Sequence, residues 1–294
     1  MPGFDLTARE GDVPLGARRV AEEERQRVSS AEYLATHDLE LYLREALKHA
    51  ARCAAVKDPR GANPNTHIEA AAEYFQAVNL GRHVAGREWS FVSATTRNTM
   101  AFLHDCDQAW GNADAQLSAK DWHSALRLQC PDVPFAVVRA ALDAAVGIDA
   151  STNDNEAGEM EERTVRFDEL RPGLRAATVY AACLDEIRGA AFEHSDLTPR
   201  DVEGCRASVR AAAVNVGKGK ERVIPEDALV DAFVDSSYSV DGDGKRVITF
   251  RRFQAALCAH EGLARVTGEM VREHAVRVKR ASAAERGDGH SPRE

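Results

Sequence analysis

The stretch from Asp241 to Phe253 constrains this chain more than any other. Asp241-Gly242-Asp243-Gly244-Lys245 is followed, after Arg246 and Val247, by Ile248-Thr249-Phe250-Arg251-Arg252-Phe253. Alternate carboxylates, a glycine turn and a β-branched residue before an aromatic one are the order in which a calcium-chelating helix–loop–helix is written. Such a loop takes oxygen ligands from positions 1, 3 and 5, turns on Gly at 6 and closes with a bidentate Glu at 12. Here Arg246 and Val247 are extra between the turn and Ile248. Arg252, a cation, stands where the metal needs a carboxylate. The expectation is a helix–loop–helix skeleton that has lost its metal and retains Ile248, Phe250 and Phe253 as packing residues. That points away from catalysis and calcium sensing and toward a scaffold.

The rest of the chain is expected to be helical. Its 294 residues suffice for about two domains. Aromatic residues make up only 6%, and Ala-rich runs favour helix over sheet, so the fold class is all-α. No apolar run approaches the roughly 18 residues of a membrane-spanning helix, and no apolar signal core is visible at the N-terminus. A net charge of −9 argues against nucleic acid or an acidic membrane as the main partner. Cys53, Cys106, Cys130, Cys183, Cys205 and Cys258 are dispersed without a C-x-x-C pair, which favours reduced thiols within helices.

Residues 1–28 and 276–294 read as a disordered lead and tail. Between them, Ser29 and Glu32 form a capping box, and a helix with Leu39, Leu43, Ala46, Leu47 and Ala50 on one face follows. Asp58-Pro59-Arg60-Gly61-Ala62-Asn63-Pro64 breaks it. A second helix carries Ile68, Ala72 and Phe75 on one stripe and ends near Gly81. A hairpin of this length, residues 29–84, cannot bury both of its faces alone. Tyr33-Leu34 through Leu47, then Pro64 through Ala72-Glu73-Tyr74-Phe75, resembles the dimerization and docking hairpin of the RIIa/Dpy-30-like superfamily. The resemblance implies a docking interface at Leu39, Leu43, Leu47, Ile68, Ala72 and Phe75, and pairing with another such hairpin, either of a second copy or of a different subunit. The other reading is the first helical pair of a larger domain.

Residues 85–190 and 191–275 are expected to hold two degenerate EF-hand-like pairs, a calmodulin-like arrangement. In the first, Trp89 and Phe91 alternate with polar residues as in a short extended linker. Thr96 or Asn98 can cap the helix that follows. Leu117 stands where an EF-hand has its position-8 hydrophobe, which puts Trp110 at 1, Asn112 at 3, Asp114 at 5, Ala115 at 6 and Asp121 at 12. Trp cannot ligate calcium and Ala replaces the turn Gly. Val165 follows an acidic run, free of Lys and Arg from Gly147 to Glu162, that reads as a solvated loop. Leu117 and Val165 are expected to meet in a two-stranded ribbon. A helix over residues 176–189 leads to a helix start at Thr198-Pro199. Gly217-Lys218-Gly219-Lys220 lacks the spacing of a phosphate loop. No catalytic constellation, cofactor motif or metal-ligand set is evident.

Glu32-Tyr33-Leu34, Ala72-Glu73-Tyr74-Phe75, Arg87-Glu88-Trp89-Ser90-Phe91-Val92-Ser93-Ala94-Thr95, Leu128-Gln129-Cys130-Pro131-Asp132-Val133-Pro134, and Ile248-Thr249-Phe250 with Ala255-Ala256-Leu257 occur in that order. Over residues 31–270 the chain resembles the centriolar satellite-associated tubulin polyglutamylase complex regulator family. The resemblance implies a non-catalytic scaffold or regulatory subunit that positions a tubulin-tyrosine-ligase-like enzyme on microtubules, at centriolar satellites, basal bodies or cilia. Contact with microtubules would then be indirect. The acidic insertion and the Asp-Gly-Asp-Gly insertion depart from the pattern. Two other readings use the same features: a structural microtubule-associated protein of the axoneme or basal body, and a calcium sensor resting on Asp241, Asp243, Asp114 and Asp121, against which Arg252 speaks.

Overall fold

The computed structural model describes residues 38–57, 63, 65–147, 163–217, 224–235, 239–240 and 244–287. They are predominantly helical, as the Ala-rich composition dictates, and the strands are only two or three residues long. By internal contacts the chain divides into two units, 1–75 and 76–294, with the boundary inside a helix between Phe75 and Gln76.

The first unit contains α1 (Leu39–Lys57) and most of α2 (Thr66–Asn79). Asp38, at φ 50°, precedes α1, and its carbonyl accepts from the amides of Leu41 and Tyr42. Glu40 in the first turn and Lys57 in the last complement the helix dipole. Tyr42, Ala46, Ala50 and Ala54, four residues apart, form the buried stripe of α1. Ala70 and Tyr74 are buried on α2. The helices meet where the His49 and Tyr74 rings lie 5.9 Å apart and where Lys57 donates to Glu73 at 3.0 Å. The Ser29–Glu32 capping box lies outside the described residues.

The second unit begins with a turn at Gly81 (φ 71°), where a Cβ would come 3.1 Å from the His274 ring. The segment around Trp89 and Phe91 is not extended, as the alternation predicts, but a short helix, α3 (Trp89–Val92). The amide of Trp89 donates to Asp132 at 2.6 Å, and the buried Asn98 side chain donates to the Phe91 carbonyl at 2.8 Å, which holds the turn closed. Thr95, rather than Thr96 or Asn98, caps α4 (Thr96–Trp110) by accepting from the Asn98 amide.

The next elements are β1 (Gln116–Leu117), α5 (Ala119–Leu126), α6 (Phe135–Val146), β2 (Val165–Arg166), α7 (Phe167–Val179) and α8 (Ala181–Phe192). The continuous helix expected over 176–189 is broken at Tyr180 (φ −100°, ψ 14°). Thr178, Val179 and Tyr180 are bulky and stiff in succession, which weakens the helix there. Then come β3 (Arg200–Asp201), α9 (Val202–Gly217), α10 (Glu226–Asp235), β4 (Ser239–Val240), β5 (Arg246–Ile248), α11 (Phe250–Ala259) and α12 (Glu261–Gly287). Thr198-Pro199 does not start a helix, because Arg200 and Asp201 are drawn into a ladder with Ile248 and Val247.

Helix α7 packs most extensively on α6, α8 on α9, and α11 against α6, α7 and α10. The α6–α7 approach depends on Gly173. A Cβ there would meet the Ala141 carbonyl oxygen at 2.9 Å and the Ala144 methyl at 3.1 Å. Helix α12 lies along α4 and α7. The tail expected to be disordered from residue 276 is helical to Gly287. Leu263, Thr267, Val271 and His274 are buried at helical spacing and anchor α12, and Gln76 donates to Glu285 near its end at 2.5 Å. Residues 288–294 lie outside the described residues.

Candidate functional site

The two helices of the first unit each carry an apolar stripe beside the buried one. On α1 the buried positions are Tyr42, Ala46 and Ala50, which leaves Leu43 50% and Leu47 70% exposed, with Leu39 half-buried. On α2, Ala70 and Tyr74 are buried, Ile68 is 70% exposed, Ala72 is exposed and Phe75 is half-buried. The expected interface residues are therefore those this fold does not bury, and the core stripe of α1 lies one position earlier along the helix. Val56, also on α1, is 81% exposed. Around these stripes the charges pair locally, Arg44 with Glu40 at 2.7 Å and Lys48 with Glu45 at 2.8 Å. The exposed Arg44–Glu40 pair contributes little stability, whereas Glu45 is itself buried and meets Lys48 at the edge of the core.

Among the described residues, one set of metal-competent side chains converges on the same helices. His49 Nε2 lies 3.4 Å from Cys53 Sγ, and a Glu73 oxygen completes a set within 4.8 Å. The i, i+4 spacing of His49 and Cys53 was the readable signal for it.

In the second unit the loop residues gather as packing groups. Leu117 stands directly opposite Val165, and Gln116 opposite Arg166, in an antiparallel ribbon. Leu117 is half-buried and Val165 buried. The Trp122 indole N–H donates to the Val165 carbonyl at 3.0 Å. Trp110, at the loop's first position, packs near Trp122 and Phe167 with ring centroids 6.4 and 6.0 Å away. The indole of Trp110 is thus held among aromatic rings. Asp121 accepts from Ser118 Oγ at 2.7 Å as part of the cap of α5.

The second ribbon has three strands in the order β3-β5-β4, with Arg200 opposite Ile248 and Ser239 opposite Val247. Ile248, Phe250 and Phe253 are all buried. Phe250 and Phe253 lie 5.4 and 6.0 Å from Phe192, and Phe253 lies 5.0 Å from Phe233. Thr249 caps α11 through the Arg252 amide. Asp241 and Asp243 lie outside the described residues, as do the acidic run over 148–162 and the Lys218–Lys220 loop. Arg251 and Arg252 are both buried, and Arg251 forms a two-point pair with Asp143 on α6 at 2.7 and 2.8 Å. Nearby, Asp196 accepts from Arg139 at 2.5 Å and from Arg188 at 2.7 Å, while its carbonyl accepts from the Arg251 amide at 3.0 Å. Sequence gives no signal for these pairings, because the partners come from separate elements.

All six cysteines are free thiols, and only Cys53 is not buried. Burial pushes the Cys183 thiol up to about 11 and the Cys130 and Cys258 thiols up to about 12. It also drives the Cys106 thiol well up. Burial lowers His83 and His274 to about 4, so both rings are neutral at physiological pH.

No family model matches the chain, and no solved structure does. It is similar to curated proteins all named "Centriolar satellite-associated tubulin polyglutamylase complex regulator 1". The Homo sapiens protein is 31% identical over 121 residues, which is 40% of this chain and 35% of that protein. The Danio rerio protein is 38% identical over 71 residues, 23% of this chain and 22% of that protein. The Mus musculus protein is 28% identical over 121 residues, 40% and 35% of the two chains. The matched stretch thus spans about a third of the length of the mammalian relatives.

Proposed function

We propose that this chain is a non-catalytic regulatory subunit of a tubulin polyglutamylase complex. Its part is to hold a tubulin-tyrosine-ligase-like enzyme, and so to place it at centriolar satellites, basal bodies or cilia. The similarity to proteins named as regulators of that complex supports this role. The chain's contact with the acidic tails of tubulin would be indirect, since a net charge of −9 repels them.

The observation that carries the docking part of the reading is the pair of unburied stripes, Leu39, Leu43 and Leu47 on α1 and Ile68, Ala72 and Phe75 on α2. A helix that leaves leucines and an isoleucine half or more exposed presents the kind of surface that helix-in-groove and helix-pair recognition uses. The partner in this reading is another two-helix hairpin, of the same or a different subunit. The second unit would serve as a body of two degenerate EF-hand-like pairs, in which Leu117, Val165, Ile248, Phe250 and Phe253 pack and no calcium is needed.

The test is affinity purification of the full chain and of a Leu43→Asp/Ile68→Asp variant, read by mass spectrometry. Recovery of a tubulin glutamate ligase with the parent chain in stoichiometric amount, and its loss with the variant, is the expected result. A ligase absent from the parent preparation overturns the function. A ligase retained by the variant overturns the hairpin as the docking surface.

A further inference from the structure

We propose that His49, Cys53 and Glu73 form a zinc-binding site that ties α1 to α2. His49 and Cys53 lie one turn apart on α1, and their ligand atoms are 3.4 Å apart. In a tetrahedral site with Zn–S near 2.3 Å and Zn–N near 2.0–2.1 Å, nitrogen and sulfur stand about 3.5 Å from one another. That edge of the tetrahedron is therefore already present. Glu73 supplies an oxygen from α2, and the three ligand atoms lie within 4.8 Å of one another. A modest turn of its side chain completes a three-ligand set whose fourth position water fills.

The donors choose the ion. Calcium and magnesium take oxygen ligands, whereas imidazole with thiolate suits zinc and its borderline-soft neighbours. Lys57 is the local competitor. Its ammonium lies 3.0 and 3.2 Å from the two Glu73 oxygens. The lysine side chain is 54% exposed and can swing into water. Binding releases the thiol proton, which zinc drives by itself taking the thiolate.

The consequence is structural. A two-helix segment this small buries little apolar surface, and a metal that ligates both helices is one way such segments are held. The site stands on these three side chains and is independent of the tubulin reading.

Cobalt titration of the full chain tests it, because Co²⁺ substitutes for zinc and reports its ligands optically. One equivalent should produce a thiolate-to-cobalt charge-transfer band and the strong visible bands of a tetrahedral ion, and zinc should displace both. Cys53→Ser should abolish the charge-transfer band, and circular dichroism of the variant would show that the helices remain. Glu73→Gln should weaken zinc binding by about tenfold or more, by analogy with the loss of supporting groups around metals. Lys57→Met should tighten it. A disulfide reagent reads the same site chemically: Cys53 is the one cysteine that is not buried, and zinc should slow its labelling about tenfold, because the metal holds the thiolate. A weak octahedral cobalt spectrum, a band that survives Cys53→Ser, or unchanged affinity in Glu73→Gln overturns the proposal.

Discussion

Arg251 and Asp143, 108 residues apart, meet in a two-point ion pair with side chains only 6% and 2% exposed. The pair joins α11 to α6. Removing one partner leaves a buried charge uncompensated, which costs about 3–5 kcal/mol. Asp143→Ala and Arg251→Ala should each lower the unfolding free energy, read from urea melts, by that amount. An Asp143→Leu/Arg251→Met double variant should recover much of the loss. A double variant as unstable as the sum of the singles would contradict the pairing.

The close approach of α6 and α7 predicts the effect of one methyl group. Gly173→Ala raises helix preference by about 1 kcal/mol. It also places a carbon 2.9 Å from a backbone oxygen that cannot yield cheaply. Overpacking costs about 1–3 kcal/mol, so the net change should be destabilising. Denaturant melts of the variant decide it, and a raised melting temperature would show that the helices can part.

Stability should depend on pH through His83 and His274. Both are held neutral by burial, with folded values near 4 against an ordinary 6.5. His83 Nε2 is also bonded to Asn98 Oδ1 at 2.8 Å. Between these limits the unfolded chain binds more protons than the folded one, so stability rises with pH. Stability is complete above about pH 7 and is lost as pH falls from 6.5 toward 4, by roughly 3 kcal/mol per ring. A His274→Gln variant should show a shallower loss in urea melts taken across that range. An unchanged slope would mean that His274 is not buried neutral.

Calcium should leave the melting temperature unchanged. In the proposed EF-hand-like reading, Trp110, held among aromatic rings, would fill the first position of one loop, and the buried Arg252 would stand where the other needs a carboxylate. A ligand that binds only the folded state would raise the melting point with its concentration. Any such rise on adding calcium would contradict the loop assignment.

What could be read from the sequence was local. The pairing of Leu117 with Val165 is readable only from the loop positions the two residues match in separate segments, whereas the helical spacing of Leu39, Leu43 and Leu47 and the burial of Ile248, Phe250 and Phe253 follow from patterns within a few residues. The Arg251–Asp143 pair and the three contacts on Asp196 do not, because they depend on how α6, α8 and α11 come together. Thr198-Pro199 shows the same limit. Its local preference for a helix start gives way to a ladder with Ile248 and Val247. At Trp89 a polar–apolar alternation too short to define a strand is bent into a helical turn by Asp132 and Asn98.

The Leu117–Val165 and Arg200–Ile248 ribbons are closed by the chain's own amides, with an indole bracing the first. Each ribbon ties segments far apart in the chain through backbone donors and acceptors. Any side-chain substitution in its strands other than proline therefore leaves the tie's hydrogen-bonding groups in place.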